Sequence, residues 1–444
     1  MPAKYHIHTK PMPPKHKLIG KYGIVDWRED CSACHNCVKR ECAYSVYDDE
    51  RDRLHSRGEY VDYLYECKGC LCCVQSCTKG LLSWQANPEY LELGDDVWTA
   101  DTISSTWYQA ETGLIPVSGA GYPGPFRGPG FDSILTDMSE IVRPTRDGIH
   151  GREYISTQVD IGRKPPALTF NPDGTMSNVF PPLIEIPLPM ILNTLPWHSP
   201  SATISKAILD AAKELGTFAV TDDPQLVDHP AAISAKGRLL ELSDSSDVVR
   251  QVRQAKSENP ERLVIVKIPL GSTTIERSLE LAKDVDALHV FADWQGIVHE
   301  SGRQRHITDA LRELHQAFVR QRNRDEITLI ASGGISMAEH VAKTILCGAD
   351  LVAVDVPLMI ALECRVCRNC TEGLTCPIDL KDIDHEYAVR RMVNLMGAWH
   401  SQLLEMMGAM GIREVRRLRG EVGRAMFFDD LERDCFGPVF GNRK

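Results

Sequence analysis

The chain has 444 residues, more than one hydrophobic core usually accommodates, so two or three domains are expected. Its formal net charge of −11, with acidic and basic residues mixed along the chain, argues against nucleic acid or an anionic membrane surface as the main partner. No secretory signal is visible, and the longest uncharged run, residues 186–205, contains four prolines that prevent a continuous membrane helix. These features predict a cytoplasmic protein without direct membrane insertion.

Residues 1–20 form a basic, proline-rich arm, which is predicted to be flexible or to lie on a partner. Beyond the arm, most of the fifteen cysteines fall into tight groups. In a reducing compartment such groups indicate metal or redox sites rather than disulfides.

The first two cysteine groups lie in residues 21–90, the predicted second segment. Each has the form C-x2-C-x2-C followed by a further cysteine, which resembles a two-cluster ferredoxin. In that arrangement three close thiolates bind one face of a cubane, and the fourth cysteine reaches the other cluster. Zinc sites use cysteine pairs and fit three cysteines per run poorly. Cys72 is surplus and is assigned a structural role. We predict two [4Fe–4S] clusters, one held by Cys31, Cys34, Cys37 and Cys77, and the other by Cys67, Cys70, Cys73 and Cys42.

Residues 91–185 are predicted to be a linker and a segment that covers the next domain. Gly119, Gly121 and Gly124 match G-x-G-x-x-G, the pattern of a dinucleotide-binding turn, which requires a helix to begin there. Three prolines between residues 123 and 129 forbid that helix. No NAD(P) site is therefore predicted.

Residues 186–385 alternate between short apolar strands and amphipathic helices, which indicates a parallel sheet built from βα units. The strands lack clean alternation, as expected when both faces are buried. The predicted fold is a (β/α)8 barrel of the TIM type, with a doubly wound sheet as the alternative, and the eighth βα unit is not evident. The seven predicted strands are 189–193, 217–221, 238–242, 263–268, 287–292, 328–332 and 351–355.

Chemistry is predicted at the carboxyl ends of these strands, where barrel active sites form. Ser332, Gly333 and Gly334 lie between a strand and a helix, so their backbone N–H groups would approach a phosphate; the alternative is a turn used for close packing. Lys267 ends the fourth predicted strand and would stabilise negative charge at the mouth of the barrel, unless it is a surface lysine. His289 is interpreted as a core histidine.

A further cysteine group, in "ECRVCRNCTEGLTCPIDL", follows the last predicted strand. It starts where the chain leaves the predicted phosphate turn, so we predict a third iron–sulfur cluster there. Residues 386–444 are predicted to be a helical segment. The cysteines of this group are Cys364, Cys367, Cys370 and Cys376.

Residues 113–420 resemble the FMN-binding domain of glutamate synthase, in its archaeal-type branch. The resemblance is carried by "LPMILNTLPWHS", "VKIPL", "ASGGISMAEHVAKTILCGADLVAVDVPLMIALEC" and "MMGAMGIREVRRLRG", in the order of the family. It implies a barrel with FMN at its mouth, reduction of 2-iminoglutarate to glutamate, and electrons arriving through an iron–sulfur cluster beside the flavin. Lys267 matches the catalytic lysine that faces flavin and 2-oxoglutarate. The implied flavin-binding residues are Asn193, Lys267, Ser332, Gly333, Gly334 and Asp355.

In the family, the C-terminal cysteine group resembles a three-cysteine [3Fe–4S] site, and Cys364, Cys370 and Cys376 have about that spacing. Cys367 is an additional residue, which would complete a [4Fe–4S] cluster and change its potential. The spacing is compatible with either a [3Fe–4S] or a [4Fe–4S] cluster.

Two segments differ from the family on the substrate side of the flavin. "VTDDPQ" stands where a Thr-Gly-Glu-Gly-Gly-like segment is usual, and "FADWQGIVHE" replaces Gly-His-Asp-Gly-Gly-Thr-Gly. Two functions are therefore considered: an oxidoreductase acting on a small carboxylate or imine, and an electron-transfer subunit of a larger redox complex without its own organic substrate. Electrons would come from ferredoxin or another subunit, and amide nitrogen from a separate glutaminase subunit or free ammonia.

Overall fold

The structure, a computed structural model, describes residues 5–26, 42, 44, 46, 63–116, 124–125, 130–138, 155–165, 167–177, 180–197, 201–234, 237–300, 302–380 and 383–441. The chain divides into two compact units, of which the smaller is inserted into the larger. The larger unit comprises Met1–Pro13, Ser105–Cys364 and Arg368–Lys444, and the smaller comprises Pro14–Ser104 and Arg365–Cys367.

The smaller unit contains an antiparallel pair of strands, β1 (Tyr22–Asp26) and β2 (Leu82–Ala86). Two one-turn helices, α1 (Cys72–Gln75) and α2 (Pro88–Leu91), lie on either side of β2 in the chain. Asn87 caps α2 by accepting the N–H of Glu89 at 3.0 Å. A longer helix, α3 (Ala100–Thr112), leads back to the larger unit. The core of the smaller unit is Leu64, Cys73 and Leu82, with Cys42, Val46, Cys67, Val74 and Cys77 packed against it.

Three short strands precede the barrel of the larger unit. They are β3 (Ile134–Thr136), β4 (Val159–Gly162) and β5 (Leu183–Ile186), and the last two form an antiparallel pair. Thr328 donates its hydroxyl to the Gly162 carbonyl at 2.8 Å. Since Thr328 begins a barrel strand, this bond joins the pair to the amino end of the barrel.

Ten strands follow, of which eight pair in parallel in chain order and close a barrel. The other two, β12 and β13, form an antiparallel hairpin after β11. The predicted (β/α)8 fold is confirmed. The ten strands are β6 (Met190–Leu192), β7 (Ala219–Val220), β8 (Ala232–Ile233), β9 (Leu239–Ser243), β10 (Leu263–Pro269), β11 (Ala287–Phe291), β12 (Ile297–Glu300), β13 (Arg303–His306), β14 (Thr328–Ser332) and β15 (Leu351–Val354).

The strand missing from the sequence prediction is β8. It has two residues and makes one residue pair with β9, Ile233 opposite Leu239. The described residues that connect β7 to β8 and β8 to β9 contain turns and no helix. A two-residue strand with no following helix leaves no periodic signal, so this βα unit could not be recognised.

Helices surround the barrel, and their starts follow ordinary capping chemistry. Ser201 and Asp384 accept the N–H groups of Ile204 and Tyr387. A last strand, β16 (Ala425–Phe427), pairs with β3. Among the described residues, no helix is both long and apolar enough to cross a membrane. The helices are α4 (Ala202–Glu214), α5 (Val248–Glu258), α6 (Ile275–Leu281), α7 (Ile307–Arg320), α8 (Ala338–Leu346), α9 (Val356–Ala361), α10 (His385–Ala409), α11 (Phe428–Leu431) and α12 (Gly437–Phe440).

Residues 5–12 of the N-terminal arm belong to the larger unit and contact its helix α10. The Lys10 N–H donates to Asn394 Oδ1 at 3.0 Å, and Asn394 Nδ2 donates to the Lys10 carbonyl at 2.8 Å. Thr9 fills the space beside Gly113 and Gly397, where an added Cβ would lie 2.3 and 2.6 Å from its side chain. Because α10 carries both Asn394 and Gly397, this helix anchors the arm.

Candidate functional site

Four cysteines of the smaller unit line one cavity. They are Cys42, Cys67, Cys70 and Cys73, the set predicted to hold one cluster, and Tyr22, Tyr44 and Val46 complete the apolar wall. The loop that carries three of them passes close to Tyr22, since an added Cβ at Gly69 would lie 2.2 Å from its ring. Convergent thiols around a small cavity provide the donor set of an iron–sulfur cluster. Cys31, Cys34 and Cys37, predicted for the other cluster, lie outside the described residues.

The thiols of this cavity influence one another electrostatically. Burial, together with the charges of Cys67, Cys42 and Cys70, raises the pKa of Cys73 to about 11. Uncompensated thiolates therefore repel one another here, and a bound cation would relieve this repulsion because metal ligation deprotonates thiols.

Cys77 is not among the residues that line this cavity, and its surroundings differ. Burial opposes its ionisation, but backbone N–H groups, first that of Leu81 at 3.3 Å, more than offset burial and lower the pKa of its thiol. A thiol that is stabilised as a thiolate is chemically suited to ligate a metal, and the assignment of Cys77 to the other cluster stays a prediction.

Four barrel strands bring polar side chains together inside the larger unit. His289 on β11 is fully buried, and its Nδ1 lies 2.8 Å from Glu241 Oε2 of β9. Its Nε2 lies 2.8 Å from Ser332 Oγ of β14, so both ring nitrogens are hydrogen-bonded, as expected of a core histidine. Lys267 on β10 lies with Nζ 3.9 Å from Glu241 Oε1 and 5.5 Å from the centre of the Phe291 ring.

Two carboxyl groups face the positive charge of Lys267. Burial opposes ionisation of Glu241, but His289 and Lys267 more than offset it, so the pKa of Glu241 lies below its usual value. Burial also raises the pKa of Asp355 to about 6, although the Val356 N–H, Lys267 and His289 oppose the rise. Lys267 is thus already balanced by protein carboxylates.

The Gly333–Gly334 turn packs against the chain that follows β11. An added Cβ at Gly333 would lie 2.5 Å from the Asp293 carbonyl oxygen, and one at Gly334 would lie 2.5 Å from Gly296 Cα. Both glycines have positive φ, 106° and 69°. The Asp293 carboxylate fixes this neighbouring segment by accepting the N–H groups of Gln295 and Ile297. The turn therefore provides close backbone packing.

Asp355, which follows β15, caps α9. Its carboxylate accepts the N–H of Val356 at 2.6 Å, and its side chain is buried. The next residue of the helix is Pro357, which has no N–H to donate. Asn193, at the end of β6, is also buried and uses its own side chain to accept the N–H of Thr194 at 2.9 Å.

Acidic groups also meet at the start of α8. Ligand atoms of Asp132, Glu339 and His340 lie within 4.8 Å of one another. Burial raises the pKa of Glu339, and Asp132 raises it further against the lowering effect of Lys343, whose Nζ lies 3.3 Å away. The carboxyl group of Glu339 is therefore half-buried and paired with Lys343 at this helix start.

The "FADWQGIVHE" segment places an aromatic side chain against the barrel's first loop. The rings of Trp294 and Trp197 meet edge to face with centres 5.0 Å apart. The guanidinium of Arg368 lies 5.0 Å from the Trp294 ring, so this segment also contacts the loop of the C-terminal cysteines.

The C-terminal cysteines differ in exposure. Cys364 is buried, Cys370 and Cys376 are half-buried, and Cys367 is exposed. Glu363 precedes them as a buried residue, hydrogen-bonded to the Tyr387 hydroxyl of α10. The start of this loop is thereby fixed to the body of the larger unit.

Sequence reasoning missed Glu241, Asp132 and Trp294 as neighbours of the predicted residues. Glu241 stands in an apolar strand, "RLLEL", and a charged residue within such a run was the signal that could have identified it. Asp132 and Trp294 lie in irregular segments, whose spatial neighbours depend on tertiary packing.

Known proteins match this chain over most of its length. A family model described as "Conserved region in glutamate synthase" matches residues 231–413. An archaeal glutamate synthase [NADPH] of Methanocaldococcus jannaschii is 26% identical over 93% of this chain and 95% of its own length. One from Archaeoglobus fulgidus is 25% identical over 93% and 96%. An archaeal-type glutamate synthase [NADPH] of Dehalococcoides mccartyi is 25% identical over 89% and 93%.

The chain is thus similar to glutamate synthases over most of its length, and the conserved region covers barrel strands β8 to β15. Glutamate synthases use FMN and iron–sulfur clusters, so each group sets chemical requirements for the residues of this chain.

The cysteine cavity of this glutamate synthase relative fits an iron–sulfur cluster, because four thiols converge on it. The barrel turn does not fit the phosphate of FMN. That dianion needs backbone N–H groups at a glycine turn and a helix start. Here the 292–296 segment fills the space beside Gly333 and Gly334, and Asp355 takes the first N–H of α9.

Proposed function

We propose that this chain is an iron–sulfur oxidoreductase that transfers electrons as a subunit of a larger redox complex. The observation that carries the proposal is the cavity lined by Cys42, Cys67, Cys70 and Cys73. A cluster bound there would supply one-electron transfer at the potential set by its thiolates and their hydrogen bonds.

The chain's own residues would tune each of the two clusters proposed for the smaller unit. Tyr22, Tyr44 and Val46 cover part of the cavity wall, which strengthens electrostatic interactions inside it. At the other cluster, to which Cys77 is assigned, the backbone N–H of Leu81 donates to Cys77 Sγ at 3.3 Å, and such a bond to a ligating sulfur would stabilise the reduced, more negative state. The predicted partners are ferredoxin or other subunits of the complex, which would supply or accept the electrons.

The barrel would then act as a scaffold and relay without FMN at the Gly333–Gly334 turn. Its interior is closed by hydrogen bonds and ion pairs among Glu241, Lys267, His289 and Ser332. A network in which each charge has a partner stabilises one packed arrangement of the strands, which a scaffold requires.

A second candidate is reduction of a small carboxylate or imine over a bound flavin, as in glutamate synthesis. The position of Lys267 favours it, because this lysine pairs with His289 across β10 and β11 near the carboxyl ends of both strands. This candidate needs a flavin site other than the Gly333–Gly334 turn and a nitrogen source, such as free ammonia or a separate glutaminase subunit.

Purification of the full chain without oxygen separates the candidates. We expect iron, acid-labile sulfide and a visible absorption that dithionite bleaches, with flavin far below one per chain after acid extraction. Absence of iron would contradict the proposal. Stoichiometric FMN, together with glutamate formed from reduced ferredoxin, 2-oxoglutarate and ammonia, would establish the second candidate instead.

The matched variants are Cys73→Ser and Cys72→Ser, which change neighbouring cysteines of one loop. Cys73 lines the cavity, whereas Cys72 is not among its lining residues. We expect Cys73→Ser to lose about one cluster's iron, roughly four atoms per chain, and Cys72→Ser to retain it. Equal loss in both variants would mean that the loop folds poorly rather than that Cys73 is a ligand.

A further inference from the structure

Two cysteine loops of this chain have the same backbone signature. In the first, Cys67, Cys70 and Cys73 are separated by left-handed residues at Gly69 and Leu71, with φ of 65° and 60°. The left-handed residues lie two and four residues after the first cysteine, and helix α1 begins five residues after it.

The C-terminal loop repeats this order. Cys364, Cys367 and Cys370 are separated by left-handed Val366 and Arg368, with φ of 55° and 57°. These are again the second and fourth residues after the first cysteine, and a 3-10 helix (Asn369–Glu372) begins at the fifth. The residue before each helix has nearly the same conformation, with ψ of 9° at Leu71 and 14° at Arg368.

Left-handed conformations at Val366 and Arg368 are unfavourable, because side chains with a Cβ clash there and a β-branched residue clashes most. Glycine would avoid the clash, yet neither position has it. Left-handed residues within a turn make backbone N–H groups converge into an anion-binding concavity, as found at iron–sulfur sites. A cluster bound in this concavity would offset the unfavourable free energy of the two left-handed residues.

The exposure of the cysteines agrees with this match. The middle cysteine of each loop, Cys70 and Cys367, is exposed, whereas the first and third are half-buried or buried. Cys376 follows the C-terminal loop and precedes Pro377, as the fourth ligand does in the bacterial ferredoxin motif. Residues 364–370 are consecutive, so the similarity of the two loops follows from their backbone dihedral angles.

We propose that Cys367 is a cluster ligand, and that Cys364, Cys367, Cys370 and Cys376 hold a [4Fe–4S] cluster in a ferredoxin-type loop. A three-cysteine [3Fe–4S] site would leave the middle thiol of this loop without a role. The inference rests on the proposed iron–sulfur function and specifies the type of its third cluster.

Electron paramagnetic resonance of the full chain, purified without oxygen and oxidised mildly, tests this. A [4Fe–4S]2+ cluster is diamagnetic and a [3Fe–4S]+ cluster is paramagnetic, so we expect no [3Fe–4S]+ signal from the unaltered protein. Cys367→Ala should lose about one iron atom of roughly twelve per chain and gain that signal. The control Cys72→Ala, a cysteine outside the repeated positions, should change neither.

The possible outcomes distinguish a wrong cluster type from a wrong iron–sulfur function. A full [3Fe–4S]+ signal in the unaltered protein, or Cys367→Ala with unchanged iron and spectrum, overturns the inference and leaves the iron–sulfur function intact. Protein without iron overturns both. If Cys367→Ala loses the whole cluster, a silent spectrum of the unaltered protein together with its full iron content still supports four ligands.

Discussion

Asp355→Asn should stabilise the protein at neutral pH, because it removes a carboxylate that is buried at a cost. Burial raises the pKa of Asp355 from 3.8 to about 6 in the folded chain. The unfolded state therefore loses its proton at lower pH than the folded state. Stability falls as pH rises from about 4 to about 6, and the loss is complete above that range.

The size of the effect follows from the two pKa values. They differ by about two units, and each unit corresponds to about 1.4 kcal/mol, so ionisation costs about 3 kcal/mol at pH 7. Roughly half of this loss falls between pH 5 and pH 7. Asparagine has the same shape and is an equally good helix cap, so the bond to Val356 should survive.

The assay is thermal unfolding of the full chain, followed by tryptophan fluorescence between pH 5 and pH 8. The variant should melt several degrees higher at pH 7 and should lose part of the pH dependence of the unaltered protein. Asp173→Asn, at a fully exposed carboxylate, is the control and should shift the midpoint little. Parallel pH profiles for Asp355→Asn and the unaltered chain would refute a raised pKa at this site.

Three further substitutions test the packing of the larger unit by thermal unfolding. Gly333→Ala should destabilise strongly, since its Cβ would lie 2.5 Å from a carbonyl oxygen at φ of 106°. The control Gly302→Ala, at φ of 79° with no atom within 4 Å, should cost only the backbone strain of about 1 kcal/mol. Equal costs for the two variants would exclude close packing of the Gly333–Gly334 turn. Arg391→Met should cost about 2–4 kcal/mol, because this buried guanidinium donates to the Ala361, Met12 and Trp107 carbonyls; a neutral effect would show that these carbonyls find other donors. Glu241→Gln should cost most at neutral pH and progressively less below pH 4.5, because the lowered pKa of Glu241 contributes stability that is lost as pH falls through its folded value; a cost independent of pH would refute this.

The barrel was predictable from sequence because seven of its strands are apolar runs between amphipathic helices. β8 was not, since two residues without a following helix carry no periodicity. The cysteine sites could be proposed from sequence because their spacing is local: three predicted ligands fall within seven residues, in "CKGCLCC" and again in "CRVCRNC".

The state of the barrel mouth was less predictable because it depends on distant parts of the chain. The pattern of Gly333 and Gly334 is the same whether phosphate or the 292–296 segment fills the adjoining space. Likewise, the presence of aspartate at position 355 does not show that its carboxylate caps α9. Such outcomes depend on tertiary packing, which no local pattern encodes.

The anchoring of the N-terminal arm by α10 has a consequence for how the cysteine-bearing unit is attached. Because residues 5–12 belong to the larger unit, residues 14–104 leave that body and return to it, so they are tethered at both ends. If the smaller unit carries electrons as proposed, two tethers would hold it at a higher effective concentration near an acceptor in the larger unit than one tether would. They also mean that a single proteolytic nick between residues 14 and 104 would leave both fragments attached, the first through the Lys10–Asn394 hydrogen bonds and the second through the chain itself.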